Sequence, residues 1–159
     1  MDENDLKQQI DTLIRSYPDF PSKGVLFRDV LPLFSKPTLV HSLCCYVANR
    51  YKNKIDLVAG LEARGFFLAQ LLLWNWAFLL YQYKEYGKDV FEVQQGALSA
   101  GQRVLIVDDL LATGGSLRAA EQLVKQTGAT VYANFVVIEL GDLNGRKVLG
   151  SEVDAFLTY

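Results

Sequence analysis

Asp108 and Asp109 are separated by three residues from the run Thr113-Gly114-Gly115-Ser116, and no other stretch of the chain combines residue types so suited to chemistry. Two adjacent carboxylates can accept hydrogen bonds from a diol or hold a metal through water, but they repel a phosphate. The Thr-Gly-Gly-Ser turn does the opposite. Its glycines let backbone approach a ligand, and a helix start offers unpaired N–H groups and a positive dipole end to an anion. An anion cradle beside a diol acceptor describes a site for a ribose 5-phosphate. A second glycine-bounded turn, Gly60-Leu61-Glu62-Ala63-Arg64-Gly65, has the spacing of a Walker loop. Phe66 and Phe67, however, stand where Lys and Ser or Thr would be required.

The elements around these turns read as alternating strands and helices. Val104-Leu105-Ile106-Val107 is a buried parallel strand that ends at Asp108, and ligands bind beyond the carboxyl ends of such strands. A helix beginning at Ser116 presents Leu117, Ala120, Leu123 and Val124, and Gly128 ends it. Leu6, Ile10, Leu13, Ile14 and Tyr17 fall at helical spacing, followed by a Pro- and Gly-rich loop from Tyr17 to Gly24. Ser35-Lys36-Pro37 opens another helix, with Leu39, Leu43, Val47 and Tyr51 facing the core. Ile55–Ala59, Val131–Ile138 and Ala155–Thr158 complete the strands. Repeated βα units of this kind predict an α/β fold, a mostly parallel central sheet flanked by helices, in one domain spanning residues 1–159.

Composition narrows the partners. The chain has 159 residues, half of them hydrophobic, and a formal net charge of −2, so no basic excess points to nucleic acid or an anionic membrane. Cys44 and Cys45 are adjacent and the only cysteines, which predicts free thiols in a reducing, cytoplasmic setting. The acidic start, Met1 to Asp5, does not read as a secretory signal. One histidine, His41, on a helical pattern, offers no basis for a zinc site.

The run from Val104 to Ser116 resembles the phosphoribosyl-diphosphate motif of the type I phosphoribosyltransferases. Further segments are similar to the adenine phosphoribosyltransferase branch: Phe20 to Asp29, Ala59 to Phe66, Glu85-Tyr86-Gly87, Val137-Ile138-Glu139-Leu140 and Leu143-Asn144-Gly145-Arg146. The resemblance implies the type I phosphoribosyltransferase fold and the formation of AMP and pyrophosphate from adenine and phosphoribosyl diphosphate. Asp108 and Asp109 would hold the ribose hydroxyls, and Ala112, Thr113, Gly114, Gly115 and Ser116 would cradle the 5-phosphate. Glu62, Ala63, Arg64 and Gly65 would take the pyrophosphate, with a cis peptide expected between Glu62 and Ala63. Leu26 and Arg28 would read adenine through their main chain, with Phe27 and Leu140 beside the ring, and Glu85 would relay a proton near N7. Mg²⁺ would arrive with the diphosphate rather than on direct protein ligands. A homodimer is the family's habit.

The chain departs from that family between Phe66 and Tyr83, where no charged residue occurs and a basic loop containing Arg-Lys, Gly-Lys and Leu-Pro would be usual. Ala63 also replaces the usual serine. The uncharged run is long enough to raise a membrane span, but Gln70, Asn75 and Gln82 interrupt it. A buried helix to about Leu73, a turn near Asn75 and a core strand from Ala77 to Leu80 are expected instead. Without the loop, slow turnover is expected, and the alternative is a binding protein of the same fold that holds nucleotide without catalysis.

Overall fold

The computed structural model describes residues 2–20, 23–24, 26–61, 64–65, 68–69, 78–79, 81–85, 88–93 and 96–159. Its centre is a five-stranded sheet built from β3 (Leu57–Gly60), β4 (Phe78–Leu79), β7 (Arg103–Leu111), β8 (Thr130–Glu139) and β9 (Glu152–Thr158). The order is β4-β3-β7-β8-β9 and every pairing is parallel, so β7 is the middle strand. Two antiparallel hairpins stand apart from it: β1 (Arg15–Pro18) with β2 (Leu26–Asp29), and β5 (Tyr81–Glu85) with β6 (Lys88–Glu92).

Strand alternation divides the core in two. Leu105 and Val107 face one layer, where α1 (Glu3–Asp11) and α3 (Pro37–Tyr51) bury Leu6, Ile10, Leu43 and Val47. Val104 and Ile106 face the other, covered by Leu117, Ala120 and Val124 of α4 (Gly115–Gln126). Both faces are therefore dry, which is why β7 reads as an unbroken apolar run rather than an alternating one. Pro37 sits in the first turn of α3, and Leu39, Leu43, Val47 and Tyr51, four residues apart, form its buried stripe as expected. A short helix, α2 (Leu31–Phe34), precedes it.

Three expectations need correcting or narrowing. The first helix stops at Asp11, and Tyr17 lies in β1, paired with Phe27. Pro18 disfavours the helical region for the residue before it, so the apolar spacing runs past the point where backbone can follow. Second, the strand expected from Ala77 to Leu80 is described only at Phe78–Leu79, where it pairs with Ala59 and Gly60 at one end of the strand order. The helix expected to Leu73 and the turn near Asn75 fall outside the described residues. Third, β7 does not end at Asp108 but continues to Leu111, with Asp108 opposite Val136 and Leu110 opposite Ile138. Among the described residues no helix is long and apolar enough to cross a membrane.

Candidate nucleotide site

Because β7 runs on past Asp108, the acid pair belongs to the sheet ladder rather than to a loop. Asp109 is 9% exposed, and Asp108 is half-buried with its Oδ1 accepting the Asp109 N–H at 2.8 Å. Desolvation, then the charge of Asp109, push the Asp108 carboxyl well above the ordinary carboxylate range. Arg64 offsets part of this charge: its Nη1 lies 3.2 Å from Asp109 Oδ2, and its guanidinium sits 5.7 Å from the centre of the Phe27 ring.

Beyond Leu111 the chain turns through Ala112, Thr113 and Gly114 into α4. Gly114 has φ +84°, a conformation that L side chains rarely adopt, and as the N-cap residue it offers no side chain to cap the helix it opens. The first N–H groups of α4 are thus left for an anion. A Cβ on Gly115 would meet nothing within 4 Å, so this residue faces open space. A cavity of about 600 Å³ lies here, lined by Phe27, Arg64, Asp108, Asp109 and the residues from Leu110 to Leu117, together with Ala119. Ala112, Thr113, Gly114, Gly115 and Ser116 therefore share one wall with both acids.

The arginine turn reaches this wall by close backbone approach. A Cβ on Gly65 would come 2.6 Å from the Val107 carbonyl oxygen and 3.3 Å from Asp108 Oδ1; one on Gly60 would overlap Ala69 Cβ at 2.5 Å. Only glycine allows the segment after β3 to lie so tightly against β7. Glu62 and Ala63, with the cis peptide expected between them, lie outside the described residues. Glu85 is the last residue of β5 and is paired with Lys88 at the hairpin end; its backbone alone is described. The β5–β6 hairpin packs against α4 through β6.

A second, smaller pocket of about 190 Å³ is lined by Gly24, Leu26, Arg28, Leu140, Asp142, Leu143 and Tyr159. It brings together three of the four residues expected at a base. Phe27, the fourth, lines the first cavity instead, because successive residues of β2 point to opposite sides. Arg28 is held from two directions: Nη1 donates to Ser16 Oγ at 2.6 Å, and the guanidinium stacks 4.0 Å from the Tyr159 ring centre. Its Nε is buried without a partner among the described residues. Tyr159 in turn donates its hydroxyl to Asp11 of α1, and its backbone bonds Glu139 and Gly141. Nothing in the local sequence marks Tyr159 or Asp142 as pocket walls. They reach the site through the pairing of β8 with β9.

The chain matches the phosphoribosyl transferase domain over residues 44–147. It is 42% identical to a Caenorhabditis elegans protein named adenine phosphoribosyltransferase, over 91% of this chain and 88% of that one. The alignment runs to 163 positions, more than the 159 residues of this chain, so it places gaps in this chain. The crystal structure of the Saccharomyces cerevisiae adenine phosphoribosyltransferase, complexed with an imino-altritol bisphosphate and adenine, superposes with a TM-score of 0.84 at 36% identity, covering 96% of this chain and 99% of that one. A Giardia lamblia structure complexed with 9-deazaadenine gives a TM-score of 0.84 at 31% identity, covering 100% and 98%.

Proposed function

The chain belongs to the phosphoribosyltransferase family, and from that premise we propose that it is an adenine phosphoribosyltransferase, forming AMP and pyrophosphate from adenine and phosphoribosyl diphosphate. One observation carries the reading. The acid pair, the glycine turn and an uncapped helix start surround a single cavity at the end of the central strand. The smaller pocket, which Leu26, Arg28 and Leu140 help to line, supports a base site beside it. The relatives are named as enzymes, which favours turnover over the binding-only alternative.

In this reaction the bond from the anomeric carbon to the diphosphate oxygen breaks, and pyrophosphate leaves with the electron pair. The bond to adenine N9 forms, and the N9 proton is lost. Positive charge develops on the ribose ring meanwhile, and the carboxylates of Asp108 and Asp109 are suited to stabilise it while accepting the ribose hydroxyls. The α4 N-terminus and the Thr113 and Ser116 hydroxyls would hold the 5-phosphate. Arg64 would turn from Asp109 to the leaving pyrophosphate, a charge-assisted contact. Glu85 would take up or relay the proton through the base. The adjacent carboxylates of Asp108 and Asp109 would meet, through water, a Mg²⁺ that arrives with the diphosphate. When bound, that ion would neutralise charge on the leaving group.

A homodimer and a cytoplasmic setting go with this reading. The family's habit supports the first, and the free thiols of Cys44 and Cys45 support the second. The test is to incubate the purified chain with adenine, phosphoribosyl diphosphate and Mg²⁺, with hypoxanthine as control. AMP should form and IMP should not. No AMP, or IMP at an equal rate, overturns the proposal.

A further inference from the structure

The turn Leu143-Asn144-Gly145-Arg146 has no part in the chemistry above, yet it lies between the two pockets. Its anchor is an ion pair. Glu139, the last residue of β8, has a side chain 7% exposed and accepts Arg146 Nε and Nη2, both at 2.6 Å. The third arm of the guanidinium, Nη1, donates to the Val153 carbonyl of β9 at 2.6 Å. Arg146 thus ties the end of β8 and the start of β9 to the turn through a planar fork that a lysine cannot reproduce.

What the turn touches gives this anchor a role. On one side Leu140, Asp142 and Leu143 wall the smaller pocket. On the other, Gly145 presses on the phosphate turn: a Cβ there would stand 2.3 Å from the Ala112 carbonyl oxygen and 3.1 Å from the Gly114 nitrogen. The contact is mutual, since a Cβ on Gly114 would stand 2.5 Å from the Gly145 oxygen. Leu140 N–H donates to the Leu111 carbonyl at 2.9 Å, which closes the join between the two segments.

We infer that Arg146 is a positioning residue for both substrates: it locks the Leu140–Gly145 turn, which seats the phosphate cradle on one side and walls the base pocket on the other. This rests on the reading that the two pockets take ribose phosphate and adenine. A salt bridge that served stability alone would lower the melting temperature when mutated and leave substrate affinities unchanged.

The experiment compares Arg146→Lys, Arg146→Gln and Gly145→Ala with the parent chain in steady-state kinetics, calorimetric binding of AMP and of adenine, and thermal unfolding. Gly145→Ala should raise KM for phosphoribosyl diphosphate about tenfold and leave KM for adenine within about twofold, because it disturbs only the phosphate side. Arg146→Gln should raise both, and Arg146→Lys should recover only part of the loss. Should Gly145→Ala not fold, Arg146→Lys, which keeps the charge, decides the matter. Lower melting temperatures with unchanged KM values and unchanged AMP and adenine affinities would overturn the inference. A parent chain that binds AMP but forms none would overturn the enzymatic reading alone, since the variants' affinities still test Arg146. A parent chain that binds neither ligand removes both.

Discussion

Asp108 shows how the site's chemistry opposes its stability. A carboxylate in an exposed loop would contribute little to folding, but this one is desolvated beside a second carboxylate in the middle of a sheet. Its raised folded-state pKa means that the folded protein binds the proton more tightly than the unfolded chain does. Stability is therefore lost as pH rises from the unfolded value through the folded one, and above that window the penalty is complete. Asp108→Asn keeps an oxygen for the Asp109 N–H and removes the charge. It should raise the melting temperature by about 2–4 °C at pH 7.5, corresponding to ~1 kcal/mol. That gain should vanish below the ordinary carboxylate range, which calorimetry across pH would reveal. Turnover should move the other way, falling about 100-fold in Asp108→Asn and in Asp109→Asn, since both act on charge that develops during reaction. Parental rates in both variants would contradict the roles given to the pair.

At the scale of elements, the helix that opens at the phosphate turn is fastened by one buried carboxylate. Glu121 of α4 accepts Asn134 Nδ2 at 2.8 Å from β8, and the Gly150 and Ser151 N–H groups at 2.8 and 3.0 Å from the turn before β9. Burial alone would raise its pKa, yet these donors outweigh it and hold the carboxyl below its usual range. The contribution is present above the unfolded-state value and is lost as pH falls through the lower, folded one. Glu121→Ala would strand the Gly150 and Ser151 N–H groups and leave Asn134 Nδ2 only the Glu152 carbonyl at 3.5 Å. A loss of about 2–3 kcal/mol is expected, seen as a lower urea midpoint at unchanged slope. The parent's advantage over the variant should shrink in acid. An unchanged midpoint would mean that water satisfies those donors equally well.

The whole molecule raises the question of what covers the reaction. β4, on the edge of the main sheet, ends at Leu79, and β5 of the separate hairpin begins at Tyr81, so the two are joined almost directly. The basic loop usual in the family has no length of chain here to occupy. Lids of that kind exclude water and complete the charge around a leaving group, whereas folding and product binding rely on the sheet and its turns. The chain should therefore fold and bind AMP but form it slowly. Inserting Arg-Lys-Ala-Gly-Lys-Leu-Pro-Gly between Leu80 and Tyr81 should raise kcat at least about tenfold with AMP affinity within about twofold. Equal rates with and without the insertion would show that another part of the molecule supplies the missing charge.

The central strand, its acid pair, the glycine turn and α4 were legible in sequence because each rests on a local rule. An apolar run makes a doubly buried strand, a glycine permits φ +84°, and a stripe at helical spacing makes a covering helix. The same rules erred where chain direction overrode pattern, as at Tyr17 before Pro18. Other features had no local signature. Arg64 meets Asp109 across 45 positions in sequence, Tyr159 reaches Asp11 across 148, and Arg146 links the end of β8 to the start of β9. Such contacts depend on which strands become neighbours and how far each extends past its partner. Backbone preferences within a short segment determine the pieces of this site, but only the parallel packing of β3, β7, β8 and β9 decides which side chains meet, because the strand ends they share belong to distant parts of the chain.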